Sequence, residues 1–324
     1  MKAVVLRDHG GPEVLEIEDV PDPKPGPEDV LVRVVSTALN RADILQRMGL
    51  YPGPKAANEI PGLEYAGVVE QVGSHVTTWE VGDEVMGIVA GAAYAELLVT
   101  HERTVLPIPA SVPLDDAAAI PEVFMTAFDA LVVQGGLTSG RWALVHAGAS
   151  GVGTAAIQIA KAFGARIIVT CSTTKVDACR SLGADVVVDY RNEDFAEAVK
   201  VATKGRGVDV VLDVIGGEYT VRNIQSLRTG GKVIQVGVMG EGSVTLPLGL
   251  LLPKRASLIG TVLRARPLEE KAALVQRVRA ELIPRFDDGS LKPVVDSRYP
   301  LSEIAAAHSY MATNANVGKI LIDM

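Results

Sequence analysis

The chain has 324 residues, 22% charged, 48% hydrophobic and only 4% aromatic, a length that suits about two packed domains. Gly 32 and Pro 18 occur without a collagen period or a low-complexity run, which excludes fibrous and disordered classes. The net charge of −8 comes with no long Lys/Arg cluster, so neither nucleic acid nor a membrane surface is an expected partner. Unbroken apolar runs fall short of the ~20 residues of a bilayer span, and Met1 leads directly into Lys2-Ala3-Val4-Val5-Leu6, so the chain is read as cytoplasmic. Cys171 and Cys179, the only cysteines, exclude a disulfide scaffold and a multi-cysteine zinc site, and are expected as reduced thiols packed near a core.

In chain order, strand patterns come first. Val4-Val5-Leu6 is followed by the Pro-rich bend Pro21 to Pro27 and by Val30 to Val35. A helix is expected over Arg41 to Met48, with Ala42, Leu45 and Met48 on one face. Short strands are then expected at Ala66 to Val72, Glu84 to Val89 and Tyr94 to Val99, making a small irregular β-barrel or sandwich. From Glu122 the pattern changes. Apolar runs at 143–145, 167–169, 186–188, 208–214, 233–236 and 258–259 alternate with helical segments, as in a parallel sheet buried on both faces. Six such strands match a doubly wound α/β dinucleotide fold. A helix Leu268 to Ile283, a strand near Val294-Val295, a helix Ile304 to Met311 and a strand Lys319 to Ile322 do not continue that alternation, so the tail is assigned back to the first domain. The expected boundaries are 1–121 with 263–324, and 122–262.

The sharpest local feature joins the apolar run 142–145 to an Ala/Ile-rich helix expected from Thr154 to Phe163. Between them, Gly148, Gly151 and Gly153 allow a tight turn, with Ser150 at the middle position of the G-x-G-x-x-G pattern. Amides at the start of such a helix, together with its dipole, suit a pyrophosphate. A P-loop would need Lys after Gly153, where Thr154 stands, and a nucleophile elbow around Ser150 would need Gly in place of Val152.

An NAD site places Asp or Glu at the end of the second strand, about 20 residues on, to hold the ribose 2′-hydroxyl. Here Thr170 to Lys175 contains no carboxylate, and a 2′-phosphate would meet hydroxyls and a cation, which favours NADPH. Tyr190, after the third strand, would wall the adenosine phosphate.

These motifs, together with Leu39-Asn40-Arg41-Ala42-Asp43, Gly49-Leu50-Tyr51-Pro52, Pro61-Gly62-Leu63-Glu64, Gly237-Val238-Met239-Gly240, Leu263-Arg264 and Asn316-Val317-Gly318-Lys319, resemble one family along essentially the whole chain. It is the zinc-independent, zeta-crystallin-type quinone oxidoreductases of the medium-chain dehydrogenase/reductase superfamily, and the wording is most similar to the stress-inducible NADPH quinone reductase subgroup. The resemblance implies a GroES-like β-rich catalytic domain, a Rossmann domain for NADPH, and a homodimer or dimer of dimers. In zinc-dependent members a Cys and a His hold the metal where Asn40 and Leu63 stand here, so no metal is expected.

The resemblance places Ser150, Gly151, Val152 and Gly153 on the pyrophosphate and Ser172, Lys175 and Tyr190 on the 2′-phosphate. Thr126, Gly237 and Met239 would lie by the nicotinamide, with Leu263, Arg264 and Asn316 completing the pocket. Asn40 and Tyr51 would position substrate and nicotinamide, although Asn40 also reads as a helix cap with Asp43 three residues on. His146, inside the first Rossmann strand, reads as a core group, and Asp115-Asp116 as a helix start. Hydride removal from an unactivated alcohol calls for a Lewis acid, whereas quinones and enones accept hydride into a delocalised anion. The expected activity is NADPH-dependent reduction of quinones. Reduction of the C=C bond of enals, enones or enoyl thioesters is the alternative, and a non-enzymatic crystallin-like or RNA-binding protein is the alternative of another class.

Overall fold

The computed structural model describes residues 1–51 and 58–324, so Pro52 of the Gly49–Pro52 motif lies outside the described residues. It divides into one unit of Met1–Glu122 with Arg264–Met324 and another of Val123–Leu263. The strands are β1 (Lys2–Leu6), β2 (Leu15–Asp19), β3 (Asp29–Ala38), β4 (Glu64–Val72), β5 (Glu84–Ile88), β6 (Leu97–His101), β7 (Val105–Pro107), β8 (Trp142–Val145), β9 (Arg166–Cys171), β10 (Val186–Asp189), β11 (Val208–Asp213), β12 (Leu227–Gln235), β13 (Ser257–Gly260), β14 (Val295–Pro300) and β15 (Lys319–Asp323). The helices are α1 (Arg41–Arg47), α2 (Pro121–Phe128), α3 (Gly151–Ala162), α4 (Val176–Ser181), α5 (Phe195–Ala202), α6 (Glu218–Ser226), α7 (Leu251–Lys254), α8 (Leu268–Glu281), α9 (Ile283–Asp287) and α10 (Ile304–Ala312).

The first unit is organised on β3, whose alternating valines bury one face of its sheet. One edge of β3 pairs with β4, and the other pairs first with β6, through Asp29–Arg33, and then with β15, through Ser36–Ala38. Register shifts against β4 at Leu31/Val32 and Val34/Ser36 bend the strand so that it can serve both neighbours. The tail returns as β15, antiparallel to β3 and parallel to β14. Val30, Val32, Val34, Tyr65, Val69 and Val85 fill the core beneath.

Two expected elements of the first unit are shifted. The strand expected from Tyr94 begins at Leu97, because Ala92 has φ +72° and the Ala93 and Tyr94 amides turn to the carbonyls of Gly62 and Pro61. The helix expected to reach Ile283 ends at Glu281, because Pro284 removes an amide and its ring crowds the preceding turn. Apolar runs are expected to stop well short of a span. Ala117–Gln134 nevertheless has the length and composition to cross a membrane, and 72% of it is buried as core helix.

The second unit is a six-stranded parallel sheet in the order β10-β9-β8-β11-β12-β13. Counted within the unit this is 3-2-1-4-5-6, the doubly wound order, which reverses direction between β8 and β11. Helices cover both faces, so β8 is wholly buried and carries no polar side chain. Ligands of such sheets bind outside the carboxyl ends of the strands at that reversal.

Candidate active site

At the carboxyl end of β8 the chain turns through His146, Ala147 and Gly148 into α3. The helix starts at Gly151 rather than Thr154, so Gly151, Val152 and Gly153 form its first turn. A Cβ on Gly148 would stand 2.6 Å from Val169 Cβ, and one on Gly153 would stand 2.3 Å from the Ala147 carbonyl oxygen, so neither position admits a side chain. Ser150 is the cap: its Oγ accepts from the Gly153 amide at 3.1 Å and donates to the Ala147 carbonyl at 2.7 Å. The amides of Gly151 and Val152 have no acceptor within the helix and stand at its positive end, which suits an anion.

The neighbouring strand ends supply the other expected cofactor residues. β9 ends at Cys171; Ser172 is extended, and a single 3₁₀ turn carries Thr173 to Lys175. β10 runs parallel, with Asp189 opposite Cys171, and the Tyr190 amide donates to the Cys171 carbonyl at 3.2 Å. Ser172, Lys175 and Tyr190 therefore share one edge of the sheet. Asp189 lies there too, at the end of the next strand and outside the Thr170–Lys175 stretch. Its oxygens accept from Thr173 Oγ1 (2.6 Å), Asn192 Nδ2 (2.7 Å) and the Arg191 amide (3.1 Å), and the Thr173 bond above all holds its pKa below the usual value. Cys171 and Cys179 are buried free thiols.

Across the reversal, Asp213 ends β11 and its Oδ1 accepts from the Ile215 and Gly216 amides at 2.6 and 3.2 Å. Its Oδ2 accepts from Asn223 Nδ2 at 2.9 Å; Asn223 Oδ1 then accepts from His146 Nε2 at 2.7 Å, leaving His146 Nδ1 to accept from Thr170 Oγ1 at 3.1 Å. Burial lowers the His146 pKa and keeps the ring neutral. This buried chain ties the ends of β8, β9 and β11 together. Gly237 and Met239 follow β12, the Met239 amide donating to the Val214 carbonyl at 3.0 Å with its side chain half exposed. Thr126 is half-buried in α2, and Leu263 is buried at the end of the unit.

In the first unit Asn40 caps α1, with its amide donating to Asp43 Oδ2 at 2.8 Å. Its carboxamide faces inward: Nδ2 donates to Glu64 Oε1 at 2.8 Å and to the Ala38 carbonyl at 3.2 Å, while Oδ1 accepts from Lys319 Nζ at 2.8 Å. Lys319 also reaches Glu64 Oε1 at 2.7 Å and the Leu39 carbonyl at 2.6 Å. Glu64 Oε2 accepts from the Glu122 amide at 2.7 Å. Asp43 takes a second bond from the Tyr94 hydroxyl at 3.0 Å, its Oδ1 has no hydrogen-bond partner among the described residues, and burial pushes its pKa up to about 6. The edge of the Tyr94 ring meets His308, whose pKa burial depresses to about 3.

Arg264 stacks over the Tyr51 ring at 5.0 Å and donates to the Ala90 carbonyl and to Gln46 Oε1, and its buried Nη1 has no hydrogen-bond partner among the described residues. Burial raises the Tyr51 pKa. Asn316 is buried, with Nδ2 donating to the Gly318 carbonyl at 2.8 Å. The side chains around Asn40 are an amide, an ammonium and a carboxylate that is already bonded. A divalent cation there would face Lys319 Nζ, so the donors present do not suit a metal. Among the described residues no group of three or more His, Cys, Asp or Glu is placed to hold one. The α3 turn and the Ser172–Lys175 edge, by contrast, fit a dinucleotide.

A GroES-type β unit joined to a doubly wound dinucleotide unit defines a class, and the chain belongs to it: the medium-chain dehydrogenase/reductase superfamily of oxidoreductases. The "Alcohol dehydrogenase GroES-like domain" family matches residues 26–110 and the "Zinc-binding dehydrogenase" family matches 151–279. Among known proteins the chain is similar to the quinone oxidoreductase of Homo sapiens, 30% identical over 326 residues that cover 99% of this chain and 97% of the relative. It is 33% identical to part of a phenolphthiocerol/phthiocerol polyketide synthase of Mycobacterium tuberculosis, covering 96% of this chain but only 14% of that protein. The Escherichia coli quinone oxidoreductase complexed with NADPH superposes with a TM-score of 0.90 at 29% identity and full coverage of both chains. The CurK enoyl reductase superposes at 0.88 and 29%, covering 100% of this chain and 99% of that one.

Proposed function

We propose that this oxidoreductase uses NADPH to reduce quinones and related conjugated carbonyls without zinc. The observation that carries the reading is the buried Asn40–Glu64–Lys319 cluster, whose ammonium and already bonded carboxylate do not suit a metal. Such a site offers no Lewis acid for a developing alkoxide and suits acceptors whose reduced anion is delocalised. When bound, NADPH supplies the hydride. The chain would hold its pyrophosphate on the Gly151 and Val152 amides and its 2′-phosphate by Ser172 and Lys175, with Tyr190 alongside. Thr126, Gly237, Met239 and Leu263 of the same unit would lie by the nicotinamide.

Similarity to the CurK enoyl reductase and to part of a polyketide synthase favours a second reading, reduction of the C=C bond of enones or enoyl thioesters. Steady-state oxidation of NADPH against a panel of quinones and enones separates the two. Quinone turnover supports the first, and turnover of 2-alkenals with none of quinones replaces it by the second. Lys175→Ala weakens NADPH far more than NADH; equal weakening refutes its contact with the 2′-phosphate. No fluorescence response to NADPH, together with steeply salt-dependent RNA binding, would overturn both readings.

A further inference from the structure

The cofactor edge of the second unit holds an acid that the dinucleotide pattern does not call for. Across 170–175 and 188–191, the ends of β9 and β10, the only carboxylate is Asp189, and the parallel register sets it opposite Cys171, next to Ser172. An acid exposed there would accept from a ribose 2′-hydroxyl and repel a 2′-phosphate. Asp189 is instead 8% exposed, and its oxygens are occupied by the chain itself. Its Oδ2 accepts from Thr173 Oγ1 at 2.6 Å and from Asn192 Nδ2 at 2.7 Å, and its Oδ1 accepts from the Arg191 amide at 3.1 Å. Its carbonyl accepts from the Asn192 and Glu193 amides at 2.9 and 2.8 Å, which closes the turn after β10.

Two short loops therefore meet on one side chain. Thr173 opens the 3₁₀ turn that ends at Lys175, and Tyr190 lies between Asp189 and Arg191. We propose that Asp189 is a positioning residue for the 2′-phosphate: through the Thr173 hydroxyl it fixes the Ser172–Lys175 turn against the loop that carries Tyr190, and so sets the preference for NADPH over NADH. The proposal rests on the NADPH reading above.

A single 3₁₀ turn does not hold its own place. Its backbone bonds are those from the Lys175 amide to the Ser172 carbonyl at 2.9 Å and from the Val176 amide to the Thr173 carbonyl, and such bonds have poor geometry. What its side chains grip decides where it stands. The Thr173 hydroxyl grips an ionised acceptor, the stronger kind of hydrogen bond, and that bond above all keeps the Asp189 carboxyl charged at neutral pH. The donors around the carboxylate also absorb its charge, so the acid orders the turn instead of opposing a phosphate. A cofactor with a bare 2′-hydroxyl asks nothing of Lys175 and is indifferent to a looser turn.

The test compares the full-length protein with Thr173→Val, which keeps the shape of the side chain but not its hydroxyl, with Thr173→Ser, which keeps the hydroxyl, and with Asp189→Ala. Binding is read by calorimetry with adenosine 2′,5′-bisphosphate and with AMP, and by fluorescence with NADPH and NADH. In Thr173→Val and Asp189→Ala the Kd for the bisphosphate and for NADPH rises about tenfold, while AMP and NADH change less than about twofold. Thr173→Ser binds as wild type does, and Thr173→Val/Asp189→Ala is no weaker than the worse single variant, since both changes remove one bond. Thr173 is exposed, so its two variants decide the matter even where Asp189→Ala fails to fold. Equal weakening of the phosphorylated and unphosphorylated ligands in Thr173→Val, or no weakening of either, overturns the positioning role while the NADPH reading stands. A wild-type protein that binds AMP and NADH as tightly as their 2′-phosphorylated counterparts overturns that reading, and the positioning role with it.

Discussion

Replacing Lys319 by Met is the severest single test of how the first unit is held together. Lys319 is 3% exposed, Glu64 is 0% exposed, and the ammonium bonds Glu64 Oε1, Asn40 Oδ1 and the Leu39 carbonyl. Met fills nearly the same volume, so little cavity energy enters. What remains is a carboxylate sealed from water with only the Asn40 and Glu122 amides to serve it. Removing one partner of such a pair costs about 3–5 kcal/mol, whereas removing both charges together is far milder. Lys319→Met is therefore expected to lose about 3–5 kcal/mol, and Lys319→Met/Glu64→Gln to recover at least half of it. Trp79 lies in the first unit and Trp142 in the second, so urea unfolding followed by fluorescence in a Trp142→Phe background reports the affected unit alone. At a slope of about 2–3 kcal/mol/M the midpoint falls by roughly 1–2 M. A loss under about 1 kcal/mol, or a double variant as damaged as the sum of its single changes, refutes the reasoning.

Two further outcomes are expected. His308, fully buried with a folded pKa of about 3, contributes stability that is present above its unfolded value near 6.5 and lost as pH falls toward 3, by about 5 kcal/mol in the limit. Asp43, at about 6, acts oppositely: its protonated form favours the fold, so about 3 kcal/mol is present below pH 4 and lost as pH rises through 6. Asp43→Asn should thus lose stability more steeply than wild type between pH 6 and 4, and parallel urea midpoints across that range would contradict this. At the sheet edge, Leu248, Leu252, Leu258 and Val262 around β13 are 43–76% exposed, an apolar margin that suits a second copy of the chain. Sedimentation should give a dimer that Leu252→Glu/Leu258→Glu dissociates; a wild-type monomer at micromolar concentration removes the expectation.

The dinucleotide unit was legible because its central strands are buried on both faces and show as short apolar runs, such as 143–145, 167–169 and 210–212, with glycine-bearing loops and helices between them. The first unit was harder for the opposite reason. β3 serves β6, β15 and β4 by bending, and neither the bends nor the pairing of Leu321 with Ala38 is written in a local pattern. Tyr94 shows the same limit. As an aromatic residue ahead of a strand-like run it reads as part of the strand, yet its place is decided by a hydroxyl bond to Asp43, 51 residues away.

The same division runs through the candidate site. Ser150, Gly151 and Val152 could be named because cofactor turns are built from consecutive residues, and Asn40 could be seen as a cap because Asp43 follows at the capping distance. Glu64, Lys319 and Glu122 carry no such mark. Each is an ordinary charged residue in its own segment, and becomes unusual only when β4, β15 and the start of α2 bring the three together. The chemistry of the site follows from that assembly. Lys319 pairs with Glu64, Glu64 fixes the Glu122 amide, and burial together with the Glu64 charge raises the Glu122 pKa to about 8. Changing Lys319 should therefore shift the titration of Glu122 upward, which carbon-13 NMR of the side-chain carboxyls in glutamate-labelled wild type and Lys319→Met would show; an unmoved resonance would mean that the acids do not act as one group.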